Sequence, residues 1–108
     1  MGKTEKRELV GGLTVLLLHL LKWQYQPLLR GPSWQTTVIN QRLDIDDHLT
    51  DNPSLKGLLI EATARAYRKA IRDAGAETGL PVTTFPVACP WTFAQLMAED
   101  FWPGDERH

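Results

Sequence analysis

The longest apolar stretch of the chain lies close to its N-terminus, over residues 9–21. Only Gly11, Gly12, Thr14 and His19 interrupt it. A helix that is apolar on every side must be surrounded by other elements of the fold. The pattern therefore predicts a central helix, which we expect to begin near the N-cap Thr4 and to end at about residue 25.

Start and stop signals divide the rest of the chain into three further helices. Ser33 is predicted as the N-cap of a second helix, which runs to about residue 49. Ser54 is predicted as the N-cap of a third helix, which ends within residues 75–79. Residues 80–90 contain three prolines, which forbid a helix, so we expect an extended segment that Val82, Phe85 and Val87 anchor. The T-x-x-Q capping box of residues 92–95 predicts a short fourth helix.

The apolar spacing inside helices two and three predicts which faces are buried. Helix two carries one stripe that includes Val38, Ile45 and Leu49, and a second, nearly opposite stripe of Ile39 and Leu43. Two apolar stripes on opposite sides indicate that helix two packs against two other elements of the fold. Helix three has a continuous leucine and alanine face, with a lesser second face of Ile60, Tyr67 and Ile71. We expect a single all-α domain over residues 1–108, a compact bundle of about four helices with antiparallel neighbours.

Composition and charge narrow the class of protein. With 108 residues, a net charge of −1 and one cysteine, the chain has neither a disulfide framework nor a general attraction to nucleic acid. Lys3, Lys6 and Arg7 ahead of the apolar stretch imitate a signal peptide, but the stretch is shorter than the roughly 20 residues of a membrane span. We expect a cytoplasmic protein without a membrane segment.

One group of residues indicates a ligand pocket. His19 is the only titratable side chain within the apolar stretch, and imidazole titrates near neutral pH. With Trp23, Tyr25 and Trp34 it forms a candidate pocket for a small ligand or substrate. The competing interpretation is a packed histidine bonded to a carbonyl or carboxylate, with aromatic rings that seal the ends of the core. We favour the second.

Other reactive side chains have ordinary explanations. Asp44 and His48 are four residues apart and share a helix face, and Asp47 lies near them. No further metal ligands occur at a suitable spacing. Cys89 is flanked by Pro90 and Trp91, and we interpret it as a small packed side chain. We therefore predict no catalytic residues, no metal and no cofactor, and we favour a non-enzymatic role.

Two surfaces are candidates for partners. Arg65, Arg68, Lys69 and Arg72 form a basic stripe on helix three. Nucleic-acid binding through this stripe is disfavoured by the net charge, and the aspartates of helix two are possible ion-pair partners. The second surface is Gly11, Gly12 and Leu16, where a neighbouring helix or a second chain is able to approach closely.

Seven short motifs resemble one bacterial family across nearly the whole chain. They are HLLKWQYQP at residues 19–27, SW at 33–34, NPSL at 52–55, ETGLP at 77–81, TFP at 84–86, CPWT at 89–92 and EDFWP at 99–103. In order and spacing they resemble the domain of unknown function 29. The resemblance implies an all-helical cytoplasmic protein with no assigned activity, cofactor or catalytic residue.

The resemblance also indicates a difference at the N-terminus. Members of the family usually have some tens of further residues ahead of the point where this chain begins. We therefore expect the first helix to lose part of its cover and to expose an apolar patch. That expectation predicts self-association, most simply a twofold dimer with the first helix near the interface, or an unidentified protein partner.

Overall fold

Four α-helices account for most of residues 3–104, the part of the chain that this computed structural model describes. They are α1 (Lys3–Tyr25), α2 (Pro32–Asp51), α3 (Leu59–Thr78) and α4 (Phe93–Met97). Within residues 3–104 there is no strand. The all-α prediction, with an extended proline-containing segment before the last short helix, is confirmed.

The central helix α1 packs against both α2 and α3, which hardly contact each other. Leu13, Leu16, Leu17, Leu20 and Leu21 have no exposed surface. The expected apolar patch on α1 is therefore wrong, because α2 and α3 cover these leucines within one chain. Among residues 3–104, no helix combines the length and the apolar content needed to cross a membrane.

Polar contacts fix the directions of the three long helices. The ring Nε2 of His48 donates to the carbonyl of Glu5 at 2.8 Å, so the end of α2 lies beside the start of α1 and the two helices are antiparallel. Lys6 pairs with Glu61 at 2.6 Å, and Lys22 pairs with Glu77 at 2.8 Å. Because both pairs span the same sequence separation, α3 runs parallel to α1.

The face of α3 toward α1 is made of alanines. Ala62, Ala66, Ala70 and Ala74 are completely buried, and their small side chains permit a close approach of the two helices. The spacing predicted this face for Ala62, Ala66 and Ala70, and the structure extends it to Ala74. At the end of α3, Gly79 adopts a left-handed conformation with φ of 76° and its N–H donates to the carbonyl of Gly75.

Three of the four predicted N-caps are wrong, and one is confirmed. Thr4 lies inside α1, which already includes Lys3. Helix α2 begins at Pro32 with Gly31 as its N-cap, because proline is well suited to the first helical position, and Ser33 is exposed inside the helix. Helix α3 begins at Leu59 rather than at Ser54, because a 3-10 helix, Pro53–Leu58, precedes it. The capping box of α4 forms as predicted, with the N–H of Gln95 donating to the Thr92 hydroxyl at 3.1 Å.

Several side chains that were predicted to pack inside are exposed. The second stripe of α2, Ile39 and Leu43, faces solvent because no element within residues 3–104 covers the side of α2 away from α1. Ile60 is 90% exposed and Val87 is 94% exposed. Of the three predicted anchors of the extended segment only Phe85 is buried, and Val82 is 46% exposed. The Tyr67 hydroxyl also holds this segment, because it donates to the carbonyl of Pro86 at 2.6 Å.

Candidate functional site

The strongest concentration of charge is a cleft between the first turns of α1 and the middle of α3. Arg65, Arg68, Lys69 and Arg72 occupy one face of α3, because residues three, four and seven apart share a side of a helix. The parallel packing of α1 brings further cations to the same place. We define the basic groove, of about 860 Å³, by its lining residues: Lys3, Lys6, Arg7, Val10, Arg65, Arg68, Lys69 and Arg72.

Among residues 3–104, only Lys6 of the seven cations in the basic groove forms an ion pair. Lys6 pairs with Glu61, and this contact, with a contribution from Arg65, lowers the pKa of the Glu61 carboxyl. Within the described residues, the four cations of α3 form no ion pair. The predicted partners on α2 are wrong, because α2 packs on a different side of α1 and its aspartates do not pair with α3.

The basic groove therefore holds a large share of the positive charge of the chain. Seven of the 12 lysines and arginines line it, although the net charge is −1. Cations that lie close together without carboxylates repel one another, and an anion that binds between them relieves this repulsion. The chemistry of the groove therefore favours carboxylates or phosphates as ligands.

A second cleft, of about 570 Å³, adjoins the basic groove along α3. We define this apolar groove by side chains from the start of α3 and from residues 87–93, which include Leu59, Ile60, Tyr67, Val87, Trp91 and Phe93. Arg68 lines both grooves. The two surfaces are thus continuous, with an apolar side and a cationic side on one helix.

The outer face of α2 has the opposite charge. Ile39 and Leu43 lie one turn apart on its exposed side. Asp44, Asp47 and Asp51 are exposed beside them, and none forms an ion pair within residues 3–104. We call these five residues the acidic face of α2.

The four residues of the predicted pocket do not converge on one of these clefts. Trp23 packs against Trp102, with ring centroids 4.7 Å apart, whereas Tyr25 packs edge-on against Phe85. Trp34 lies under the ammonium group of Lys22, 4.9 Å from its ring centroid. These aromatic contacts favour the interpretation that the rings seal one end of the core.

His19 has the contacts of a packed histidine. Its Nδ1–H donates to the carbonyl of Val15, four residues earlier on α1, at 2.8 Å. Partial burial lowers the pKa of the His19 imidazole; the Val15 hydrogen bond opposes this shift, and the positive charge of Lys22 adds a smaller lowering. The neutral ring is therefore favoured.

The predicted close approach at the paired glycines occurs inside the chain. A Cβ on Gly12 would lie 3.3 Å from Cγ1 of Ile45, so α2 packs closely against α1 at Gly12. A Cβ on Gly11 would meet nothing within 4 Å. Leu16 is completely buried, which leaves Gly11 alone of the three open to a partner chain.

The remaining reactive side chains are held by local contacts. His48 lies 3.8 Å from a Glu8 carboxylate oxygen, and within residues 3–104 no three His, Cys, Asp or Glu side chains are grouped to hold a metal ion. The Cys89 thiol donates to the carbonyl of Trp91 at 3.4 Å, and burial raises its pKa. A thiol with a raised pKa is a poor nucleophile at neutral pH.

Comparison with known proteins identifies the family but no function. No curated protein and no solved structure matches the chain. The family model described as "Domain of unknown function DUF29" matches residues 1–102. The match covers nearly all of the chain and agrees with the motifs found in its sequence. The protein therefore belongs to the DUF29 family.

Proposed function

We propose that this protein is a protein–protein interaction module and that it binds an acidic segment of its partner in the basic groove. The observation that carries the proposal is the set of four α3 cations that form no ion pair with any described residue, beside three more cations from α1. Carboxylates of a partner would pair with these four cations, since Glu61 already pairs with Lys6. Such pairs mainly increase the rate of association and its specificity.

The apolar groove favours a protein partner over nucleic acid. It continues from the basic groove across Arg68 and is lined by leucine, isoleucine and aromatic side chains, which suit apolar side chains of a partner. None of the residues that line the basic groove is aromatic, so it offers no ring on which a nucleotide base stacks. A segment with acidic and apolar side chains matches both grooves.

Binding of a fluorescently labelled acidic amphipathic peptide, with leucines and glutamates at helical spacing, tests the proposal. We expect fluorescence anisotropy to show binding that weakens as salt rises from about 50 to 200 mM, because added ions screen the charges. Arg68→Glu should weaken binding about tenfold. The matched control is Lys56→Glu, which makes the same charge change at an exposed lysine outside both grooves. Equal loss in both variants, or no binding at low salt, would refute the proposal.

Nucleic-acid binding is the second candidate, and the same four cations of α3 favour it. Phosphates would then replace carboxylates, and affinity would fall steeply with salt. A labelled single-stranded oligonucleotide in the same assay separates the two functions. If the oligonucleotide binds more tightly than the peptide, and Arg68→Glu abolishes this binding, the second candidate replaces the first.

A further inference from the structure

We propose that the partner that fills the basic and apolar grooves is a second copy of this chain, which presents the acidic face of its α2. This inference rests on the proposed function and names the segment that binds. The motivating juxtaposition is that one chain carries both a cationic–apolar groove and an exposed anionic–apolar helix face. Neither surface is covered by another element of the described chain.

The charged residues on the two surfaces have the same spacing. Asp44, Asp47 and Asp51 are three and seven residues apart on α2, and Arg65, Arg68 and Arg72 are three and seven residues apart on α3. Each stripe is about 10.5 Å long at 1.5 Å per residue. Two helices packed side by side thus place three carboxylates against three guanidinium groups, and arginine is suited to two hydrogen bonds with each carboxylate.

Apolar side chains beside the two charged stripes are also complementary. On α2, Ile39 and Leu43 lie next to the aspartate stripe, and the exposed fraction of Leu43 is 58%. On the other surface, the apolar groove lies next to the arginine stripe, with exposed Ile60 and Val87 at its edge. Docking removes these four side chains from water, which supplies hydrophobic free energy in addition to the charge pairing.

The docking contact joins two different surfaces, so copies satisfy it in one of two ways. Two chains that dock reciprocally, each with its α2 in the other's grooves, form a twofold dimer. Chains that each dock on the next leave one groove and one α2 free at the ends, and copies then add head to tail into a ring or an open chain. This arrangement differs from a dimer across α1 at Gly11, which would leave the acidic face and both grooves free.

Two charge-reversal variants test the inference by complementation. R65E/R68E/R72E has an altered groove and a native α2, and D44K/D47K/D51K has a native groove and an altered α2. All six positions are exposed, so we expect both variants to keep the helical circular dichroism of the wild type. At low salt, light scattering should show that wild-type mass grows with concentration, that each variant alone is monomeric and that their mixture forms a complex.

Leu43→Arg provides an independent variant, since one substitution on the acidic face should weaken self-association without altering the groove. The inference is overturned if the wild type stays monomeric at low salt, or if either charge-reversal variant still associates alone. The acidic-peptide assay keeps its meaning in both cases. Peptide binding without self-association overturns this inference and leaves the proposed function, whereas loss of peptide binding refutes the proposed function itself.

Discussion

The guanidinium group of Arg42 on α2 donates a hydrogen bond from Nε to the carbonyl of Leu96 at the end of α4, at a distance of 2.7 Å. A second bond, from Nη2, reaches the carbonyl of Phe101 at 2.8 Å, and the group lies 5.3 Å from the ring centroid of Trp102. Arg42 is only 5% exposed. One buried cation thus attaches the last residues of the described chain to α2.

Replacing Arg42 with leucine should destabilise the protein by about 2–4 kcal/mol, because buried carbonyls lose charge-assisted hydrogen bonds and remain unpaired. Urea unfolding followed by circular dichroism measures this loss. Arg65→Leu is the control; its side chain is exposed, so we expect a change within about 0.5 kcal/mol. Equal effects of the two substitutions would show that the Arg42 contacts contribute little.

Tyr67 should make the stability of the protein sensitive to alkaline pH. Burial raises the pKa of the Tyr67 phenol to about 12, from an ordinary value of 10. The folded state therefore favours the protonated phenol, and its contribution is complete below pH 10 and is lost as the pH rises from 10 toward 12.

The measurement is the free energy of unfolding of wild type and Tyr67→Phe across that range. We expect wild type to lose up to about 2 kcal/mol more than the variant between the two pH limits. At neutral pH, Tyr67→Phe should cost about 1 kcal/mol, since the carbonyl of Pro86 loses its donor. Parallel pH profiles would contradict this account.

The paired glycines of α1 should respond differently to alanine. Gly11→Ala should stabilise the protein by about 0.5–1 kcal/mol, because the new methyl group meets open space and alanine favours the helix. Gly12→Ala should gain less, because its Cβ would press on Gln41 and Ile45 at 3.3 Å. Thermal unfolding of the two variants compares them directly. If Gly12→Ala stabilises the protein more than Gly11→Ala does, α2 must shift away from the new methyl group without loss of stability.

Cys89 should react slowly with thiol reagents in the folded protein. Burial raises the pKa of its thiol, so little thiolate is present at neutral pH. We expect alkylation by iodoacetamide to be at least about tenfold slower than in urea-unfolded protein. Mass spectrometry of timed samples measures the rate. Equal rates in the folded and unfolded states would show that the thiol is accessible and ionised.

His19 should add sensitivity to acid. Burial lowers the pKa of its imidazole below 6.5, so its contribution to stability is present above pH 6.5 and is lost as the pH falls below that value. His19→Gln should reduce this loss, as measured by urea unfolding at a series of acidic pH values. A profile that does not change on substitution would remove His19 as the cause.

The helices and the central place of α1 could be predicted from the sequence alone. An apolar stretch without a polar face specifies a buried helix, and the alanine face of α3 and the capping box of Thr92 and Gln95 follow from spacing and local hydrogen bonds. The starts of α2 and α3 were missed because Pro32 shifts the cap and Pro53 begins a separate 3-10 helix. The sequence also placed the four cations of α3 on one stripe.

What these helix faces contact depends on how the helices pack, which the sequence pattern does not specify. The parallel packing of α1 on α3 adds Lys3, Lys6 and Arg7 to the basic stripe, and the position of α2 keeps its aspartates away from it. Whether Ile39 and Leu43 meet a neighbour, and whether Arg42 is buried, depends on contacts between residues far apart in the chain. Periodicity defines the face of a helix, but the face that is covered depends on how the helices assemble.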